Sequence, residues 1–291
     1  MTRSSHRPRR TVGTAGIAAL GLAAALTLAA CSSDEGSDDA TDGGSAGGGT
    51  IRIGIKFDQP GLGFKDGSTY TGFDVDVARY VADKLGYSED QIEFVESPSA
   101  QRETMLQNGQ VDMIFATYSI TDERKEVISF AGPYFVAGQD LLVAADDTSI
   151  TGPEDLDGKN LCSVTGSTSA KRIKDEHAAG TNLLEQPGYS ECVTALTAGT
   201  VDAVTTDDII LAGLAALPAN EGKVKVVGNP FSEENYGVGL PKDSDKCQAV
   251  TDAINEMLED GSWQKALDDN VSASGYKPNP DLNPPTPAAC A

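Results

Sequence analysis

The stretch FATYSITDERKEV, Phe115 to Val127, runs from an apolar, strand-like segment into a polar, helix-like one and sets Arg124 in the first turn of that helix. A helix N-terminus presents unpaired N–H groups and a partial positive charge, so a cation there is mildly unfavourable and an anion favourable. An arginine in that place makes sense if a carboxylate bridges its guanidinium fork and the helix amides. The plainer alternative is an exposed i,i+4 partner on a charged helix face. Catalytic chemistry has few carriers. Beyond the leader the chain has one histidine, His177, in the charged run KRIKDEHAAG. That removes Ser-His-Asp and His-metal constellations and leaves only a carboxylic acid as a conceivable general acid.

The elements that must position Arg124 belong to a repeat. LQNGQVDMIFAT from Leu106 and LTAGTVDAVTTD from Leu196 align without gaps at an offset of ninety residues. Each reads as a helix end, a glycine cap and a buried strand. Each copy is preceded by a strand and turn, IRIGIKFDQPG from Ile51 and KNLCSVTGSTS from Lys159. In GFDVDVARYVADKLG, Phe73, Val77, Ala78, Val81 and Leu85 fall on one helical face. Strands alternating with helices predict an α/β fold with mostly parallel sheets, and ligands of such sheets bind beyond the carboxyl ends of the strands. The positions to watch are therefore Lys56 to Phe64, Thr117 to Arg124, Thr165 to Ser169 and Thr206 to Asp208. GQDLLVAAD from Gly138 and NYGVGLPKD from Asn235 flank the second copy. Read as hinges, they divide the chain into a first lobe, 50–144 plus 239–291, and a second, 145–238. The closing run INEMLEDGSWQKALDDN reads as helices with Trp263 in the core.

The first thirty residues carry four arginines, no acid and the apolar run Val12 to Ala30, which is the pattern of a secretion signal. The run ends in LAAC, which resembles the lipobox of bacterial lipoproteins, where cleavage leaves a cysteine, here Cys31, to be diacylated. A plain signal peptide or an uncleaved anchor are the alternatives. Ser32 to Gly49 has no large apolar residue and reads as a tether with a coil reach of roughly 23 Å. Removing the leader's four arginines takes the formal charge from −22 to −26. A surface that acidic argues against nucleic acid as a partner, and it requires that any anionic ligand be held by a few local cations. With Cys31 set aside, Cys162, Cys192, Cys247 and Cys290 remain. In an exported chain they predict two disulfides with three possible connectivities. The favoured pairs are 162 with 192, in one segment, and 247 with 290, pinning the Pro-rich tail. No spacing resembles a zinc site, and no cofactor is expected.

GFDVDVA, QNGQVDMIFATYSITDERKEVISFAGPYF and VDAVTTDDIILAG resemble the polar amino-acid-binding proteins of ABC importers, a bilobed family of the periplasmic binding protein type II-like fold. Within it the chain looks most like actinobacterial glutamate-binding lipoproteins, over Thr50 to Asn270. The resemblance implies two α/β lobes joined by a two-segment hinge, with the ligand in the cleft between them. It implies that Arg124 forms a two-pronged salt bridge with the ligand's α-carboxylate, joined by Ser119 and, from the GSTS turn of the other lobe, by Ser167 and Thr168. Asp207 then accepts the ligand's ammonium, with the hydroxyl or carbonyl of Thr117 completing its shell and Asp208 left to cap the following helix. Arg102, in SPSAQRETML, and Lys56 fall where glutamate and aspartate binders carry cations for the distal carboxylate. Phe64 or Phe57 is implied against the aliphatic chain, although DQPGLGF departs from the family's PF or PY pair. Tyr189 aligns where some acidic-ligand binders have histidine. Each has a plainer reading: a surface helix residue for Arg102, a solvated loop residue for Lys56, a turn for GSTS and a helix cap for Asp207.

The expectation is a monomeric, lipid-anchored binding protein outside the membrane that hands L-glutamate, or a close acidic amino acid, to a permease. Glutamine is the alternative ligand. A cyclohexadienyl-dehydratase-like enzyme on the same scaffold and a sensor's ligand-binding domain are the alternatives of other classes; the cationic, hydroxyl-rich cleft disfavours the first and a chain ending in NPPTPAACA the second.

Overall fold

The computed structural model describes residues 49–177 and 180–290; the leader, Cys31 and most of the tether fall outside them. In chain order the elements are β1 (Ile51–Ile55), β2 (Asp58–Gln59), β3 (Gly63–Asp66), β4 (Thr69–Thr71), α1 (Phe73–Lys84), β5 (Ile92–Glu96), α2 (Arg102–Gln107), β6 (Met113–Phe115), α3 (Asp122–Lys125) and β7 (Ile128–Ala137). Then come β8 (Gln139–Ala144), β9 (Asn160–Val164), α4 (Thr168–Glu176), β10 (Asn182–Gln186), α5 (Tyr189–Thr197), β11 (Ala203–Asp207), α6 (Asp208–Ala215) and β12 (Val224–Val226). The chain closes with β13 (Glu234–Pro241), α7 (Cys247–Glu259) and α8 (Ser262–Val271).

Two five-stranded sheets share one plan, β5-β1-β6-β13-β7 and β10-β9-β11-β8-β12. In each, three strands run parallel and the fourth is antiparallel to both neighbours. The repeat read in the sequence occupies the same place in both, since β6 and β11 are each the third strand. Each copy follows a helix that ends at a left-handed glycine, Gly109 (φ 62°) and Gly199 (φ 71°), which needs no Cβ-compatible backbone.

The strand that breaks parallelism in each sheet comes from the opposite half of the chain. The chain leaves the first sheet at Ala137 and joins the second at Gln139, and it returns between Val226 and Glu234. The run Gln139–Ala144, read in the sequence as the end of the first lobe, is thus the fourth strand of the second sheet. Residues 234–238, read as the end of the second lobe, open the fourth strand of the first. Both runs are largely buried and each opens on polar residues, so only their pairing partners distinguish the two assignments. The crossings lie side by side: Phe231 donates its N–H to the Gln139 carbonyl (2.9 Å), Gln139 N–H reaches Ser232 Oγ (3.0 Å), and Gly138 N–H reaches the Asp208 carboxylate (3.3 Å).

In α1, Phe73, Val77, Ala78 and Val81 are fully buried, as the 3.6-residue period requires. Trp263 is buried with them, its indole N–H donating to the Tyr134 carbonyl (2.7 Å). Cys162 of β9 bonds to Cys192 of α5, and Cys247 of α7 bonds to Cys290 in the tail, which are the favoured pairs.

Candidate functional site

The three cations singled out by position are all buried. Lys56 follows β1 and is 3% exposed, its ammonium donating to Ser99 Oγ (2.9 Å). Burial, and then the charge of Arg102, hold its pKa down to about 8. Arg102 opens α2, is also 3% exposed, and donates from Nη1 to the Ala116 carbonyl (3.0 Å). Burial and then the Arg124 charge bring its pKa down to about 10. Neither forms an ion pair among the described residues. The surface-helix and solvated-loop readings do not survive this, because an amphipathic cation on a surface keeps its head in water.

Arg124 is 8% exposed, so it is not a member of a charged surface face. Helix α3 is a single turn, capped by the Thr121 hydroxyl, which accepts from Arg124 N–H (3.2 Å). The chain enters β7 three residues later, so little dipole develops, and direct contacts fix the guanidinium instead. It donates to Glu103 Oε1 (3.1 Å), the Ser119 carbonyl (2.6 Å) and, across to the second sheet's side, the Gly166 carbonyl (3.2 Å).

Between these cations lies a residue the sequence reading passed over. Tyr118, fully buried, offers its ring to Arg102 (4.1 Å) and Arg124 (4.9 Å) together. Its negative π-face partly offsets the cost of two desolvated like charges. Nothing in a strand-like run marks one aromatic for this use.

The neighbouring Thr117 has φ 47°, a left-handed conformation that a β-branched residue adopts at a cost on the order of 1–3 kcal/mol. Asp74 sustains it by accepting Thr117 N–H (2.9 Å) on one oxygen and the Tyr134 hydroxyl (2.8 Å) on the other. Burial raises the Asp74 pKa to about 6 against the lowering effect of those bonds. Thr117 Oγ1 stands 2.7 Å from the Ala116 carbonyl and 3.2 Å from Gln59 Oε1.

The second sheet supplies the facing wall. Ser167 caps α4 by accepting Ala170 N–H (2.9 Å), and Thr168 Oγ1 lies 3.3 Å from Ser119 Oγ. The GSTS turn therefore does cap a helix and also brings the Thr168 hydroxyl against Ser119 of the first lobe. Asp207, at the end of β11, makes no side-chain cap bond to α6; Asp208 takes the Ile209 amide (2.8 Å). Asp207 Oδ2 accepts the Tyr236 hydroxyl (2.6 Å), while Oδ1 is buried with no partner among the described residues. Burial, then the charge of Glu234, push its pKa well above the carboxylate range. Tyr189, buried at the start of α5, donates its N–H to Asp58 Oδ2 (2.9 Å) and has its hydroxyl beside Thr206 and Ser167.

The two walls touch closely. A Cβ on Gly166 (φ 79°) would lie 2.6 Å from Ala100 Cα, and one on Gly213 of α6 would lie 2.2 Å from the Pro60 carbonyl oxygen. Phe64, half-buried on β3, takes part in none of the ring contacts. Phe57 packs on Tyr70 (5.4 Å) beneath Lys65, in an outer cluster with Phe94. The structure thus brings together Lys56, Arg102, Thr117, Ser119, Arg124, Ser167, Thr168, Tyr189 and Asp207, and leaves the implied aromatic unassigned. Among the described residues no group of three or more His, Cys, Asp or Glu could hold a metal ion. Chemically, the arrangement is three buried cations, of which only Arg124 has an ion-pair partner among the described residues, facing hydroxyls and one half-satisfied carboxylate, suited to a small zwitterion with an extra negative charge.

Comparison with known proteins agrees in class. Residues 51–271 match the family model of the bacterial extracellular solute-binding proteins, family 3. The glutamate-binding protein GluB of Corynebacterium glutamicum is 47% identical over 266 residues, covering 85% of this chain and 86% of that one. A glutamine-binding protein of Geobacillus stearothermophilus is 37% identical, over 81% of this chain and 95% of its own. Among solved structures, an ancestral arginine-binding protein bound to arginine superposes with a TM-score of 0.71 at 35% identity, covering 76% of this chain and 97% of that one.

Proposed function

Because the chain belongs to the bacterial extracellular solute-binding proteins, family 3, we propose that it is the receptor of an ABC importer for L-glutamate or a close acidic amino acid. The observation that carries this is the pair Lys56 and Arg102, two buried cations that form no ion pair within the described chain. A ligand with a distal carboxylate supplies the missing charge, whereas a neutral amide leaves a buried cation unpaired at a cost of several kcal/mol. The name and 47% identity of the Corynebacterium relative support the same ligand.

In this reading Arg124, with Ser119, Ser167 and Thr168, takes the α-carboxylate. The Gly166 carbonyl, which now accepts from Arg124, gives way to it. Asp207 and Thr117 take the ammonium, Arg102 and Lys56 the distal carboxylate. Tyr189 closes one side, and Phe64 lies against the aliphatic chain. The lobes turn about the crossings at Gly138 and 227–233 and shut on the ligand. The protein works as a monomer outside the membrane, held by acyl chains on Cys31, and presents its closed form to a permease. It binds without turnover.

A thermal-shift screen of the twenty amino acids on the purified protein tests this. Glutamate, and to a smaller degree aspartate, should raise the melting temperature. Stabilisation by arginine or apolar amino acids with no response to the acidic ones would discard the proposal.

A further inference from the structure

Gln59 lies between Lys56 and the lobe junction and is 0% exposed. Its neighbour Asp58 makes the bond across to Tyr189, and its own amide meets Thr117 Oγ1 at 3.2 Å. That contact has a bookkeeping problem. A threonine hydroxyl carries one proton, and the Ala116 carbonyl at 2.7 Å is the nearer acceptor. With the proton on that carbonyl, Thr117 Oγ1 accepts rather than donates, so the amide sits with Nε2 toward Thr117 and Oε1 turned away, the two orientations being alike in shape. In the orientation shown, Nε2 is the buried atom with no partner among the described residues. Turning the amide puts Oε1 in that place. A buried polar atom left unsatisfied there costs about 1–3 kcal/mol unless something else meets it.

Asp207 Oδ1 is in the same state, and it too is an acceptor. A continuous set of contacts joins the two: Gln59 to Thr117, Thr117 to Asp74, Asp74 to Tyr134, and Tyr134 to Tyr236 (ring centroids 6.2 Å), which holds Asp207. On the other side, Asp58 holds Tyr189, whose hydroxyl stands beside Thr206, the residue before Asp207. An ammonium has three protons to place, and the proposed shell of Asp207 and Thr117 leaves one over.

We infer that Gln59 is a ligand contact, its side-chain Oε1 accepting the third proton of the bound amino acid's ammonium beside Asp207 and Thr117. This rests on the amino-acid-receptor reading above. It makes Gln59 a residue that selects for a protonated α-amino group, independent of the distal carboxylate that Arg102 and Lys56 read.

The test is calorimetric titration of glutamate into the wild type and Gln59→Met, which keeps length without the amide, together with the crystal structure of the wild-type glutamate complex. The Met variant should bind at least about tenfold more weakly, the factor for one lost hydrogen bond to a charged group. The complex should show Gln59 Oε1 within hydrogen-bond distance of the ligand nitrogen. Unchanged affinity in a folded Met variant, or a complex in which the amide faces away from the ligand, overturns this assignment alone. Should the variant fail to fold, the complex decides by itself. A wild type that binds no amino acid overturns the receptor reading and this inference with it.

Discussion

Replacing Arg102 with methionine should separate binding from stability. The guanidinium is buried, lies on the Tyr118 ring and donates to the Ala116 carbonyl, and no carboxylate among the described residues pairs with it. Burial and the Arg124 charge bring its pKa down to about 10. At 1.36 kcal/mol per unit, a displacement of that size corresponds to roughly 3 kcal/mol against the charged form. Methionine removes that cost and forfeits a desolvated cation–π contact worth about 2 kcal/mol and a hydrogen bond of about 1–2 kcal/mol. These nearly cancel, so the ligand-free unfolding free energy should move by no more than about 1–2 kcal/mol, not the 3–5 kcal/mol that follows when one partner of a buried ion pair is removed. Glutamate affinity should fall much further, because in the proposed complex the ligand's distal carboxylate then faces Lys56 alone. Stranding a charge in that way costs about 2–5 kcal/mol, or roughly thirtyfold to several-thousandfold in Kd. Urea unfolding without ligand and calorimetric titration with glutamate measure the two sides. A variant that loses more than about 3 kcal/mol of stability and keeps its glutamate affinity would mean that Arg102 is a structural cation, and the selectivity argument would be refuted.

Lys56 should make glutamate binding pH-dependent: with its pKa held to about 8, the free site loses this charge as pH rises through 8, and affinity should drop toward tenfold per further unit, a slope that Lys56→Met abolishes in the same titrations. The stability effect has the opposite sign. The folded pKa lies below the unfolded one, so on this account the ligand-free protein gains stability as pH climbs from about 8 toward the ordinary lysine value, seen as a rising urea midpoint relative to the Met variant. Gly213→Ala places a methyl 2.2 Å from the Pro60 carbonyl oxygen as the lobes stand in the structure, while favouring the helix itself by about 0.5–1 kcal/mol. It should hold the lobes apart, raising the scattering radius of the glutamate-saturated protein and weakening binding without loss of melting temperature. Removing Cys162–Cys192 by a double alanine substitution opens a link spanning 30 residues and should lower the unfolding free energy by about 3–4 kcal/mol in urea titrations.

The parts of this molecule that were legible in the sequence are those where local pattern and tertiary role coincide. The ninety-residue repeat placed β6 and β11 in equivalent positions because helix end, glycine and buried strand are each local signals. The period of Phe73, Val77, Ala78 and Val81 gave the buried face of α1. Lys56 and Asp207 stand at the carboxyl ends of strands, and Arg124 in the first turn of the helix that follows one, which is why their positions could be picked out. What could not be read depends on partners distant in the chain. Nothing in GQDLLVAAD tells whether it pairs with β7's sheet or with β11, and it pairs with β11. ITDERKEV carries helix formers, yet β7 starts at Ile128, since pairing with β13 outweighs helical preference. The roles of Tyr118, Asp74 and Gln59 arise from three-dimensional neighbours: two arginines on one ring, a left-handed threonine, and a hydroxyl with one proton to give. In FDQPGLGF the two aromatics are the conspicuous residues, and the glutamine between them carries no local signal.

The ratio of glutamate to glutamine affinity for the wild type at pH 7, by calorimetric titration, tests the central claim most directly, because in the proposed complex the two ligands differ only in whether a carboxylate or an amide meets Lys56 and Arg102. Glutamate tighter by about thirtyfold or more, the equivalent of at least 2 kcal/mol, is the predicted result. Equal affinities, or glutamine the tighter ligand, would contradict it.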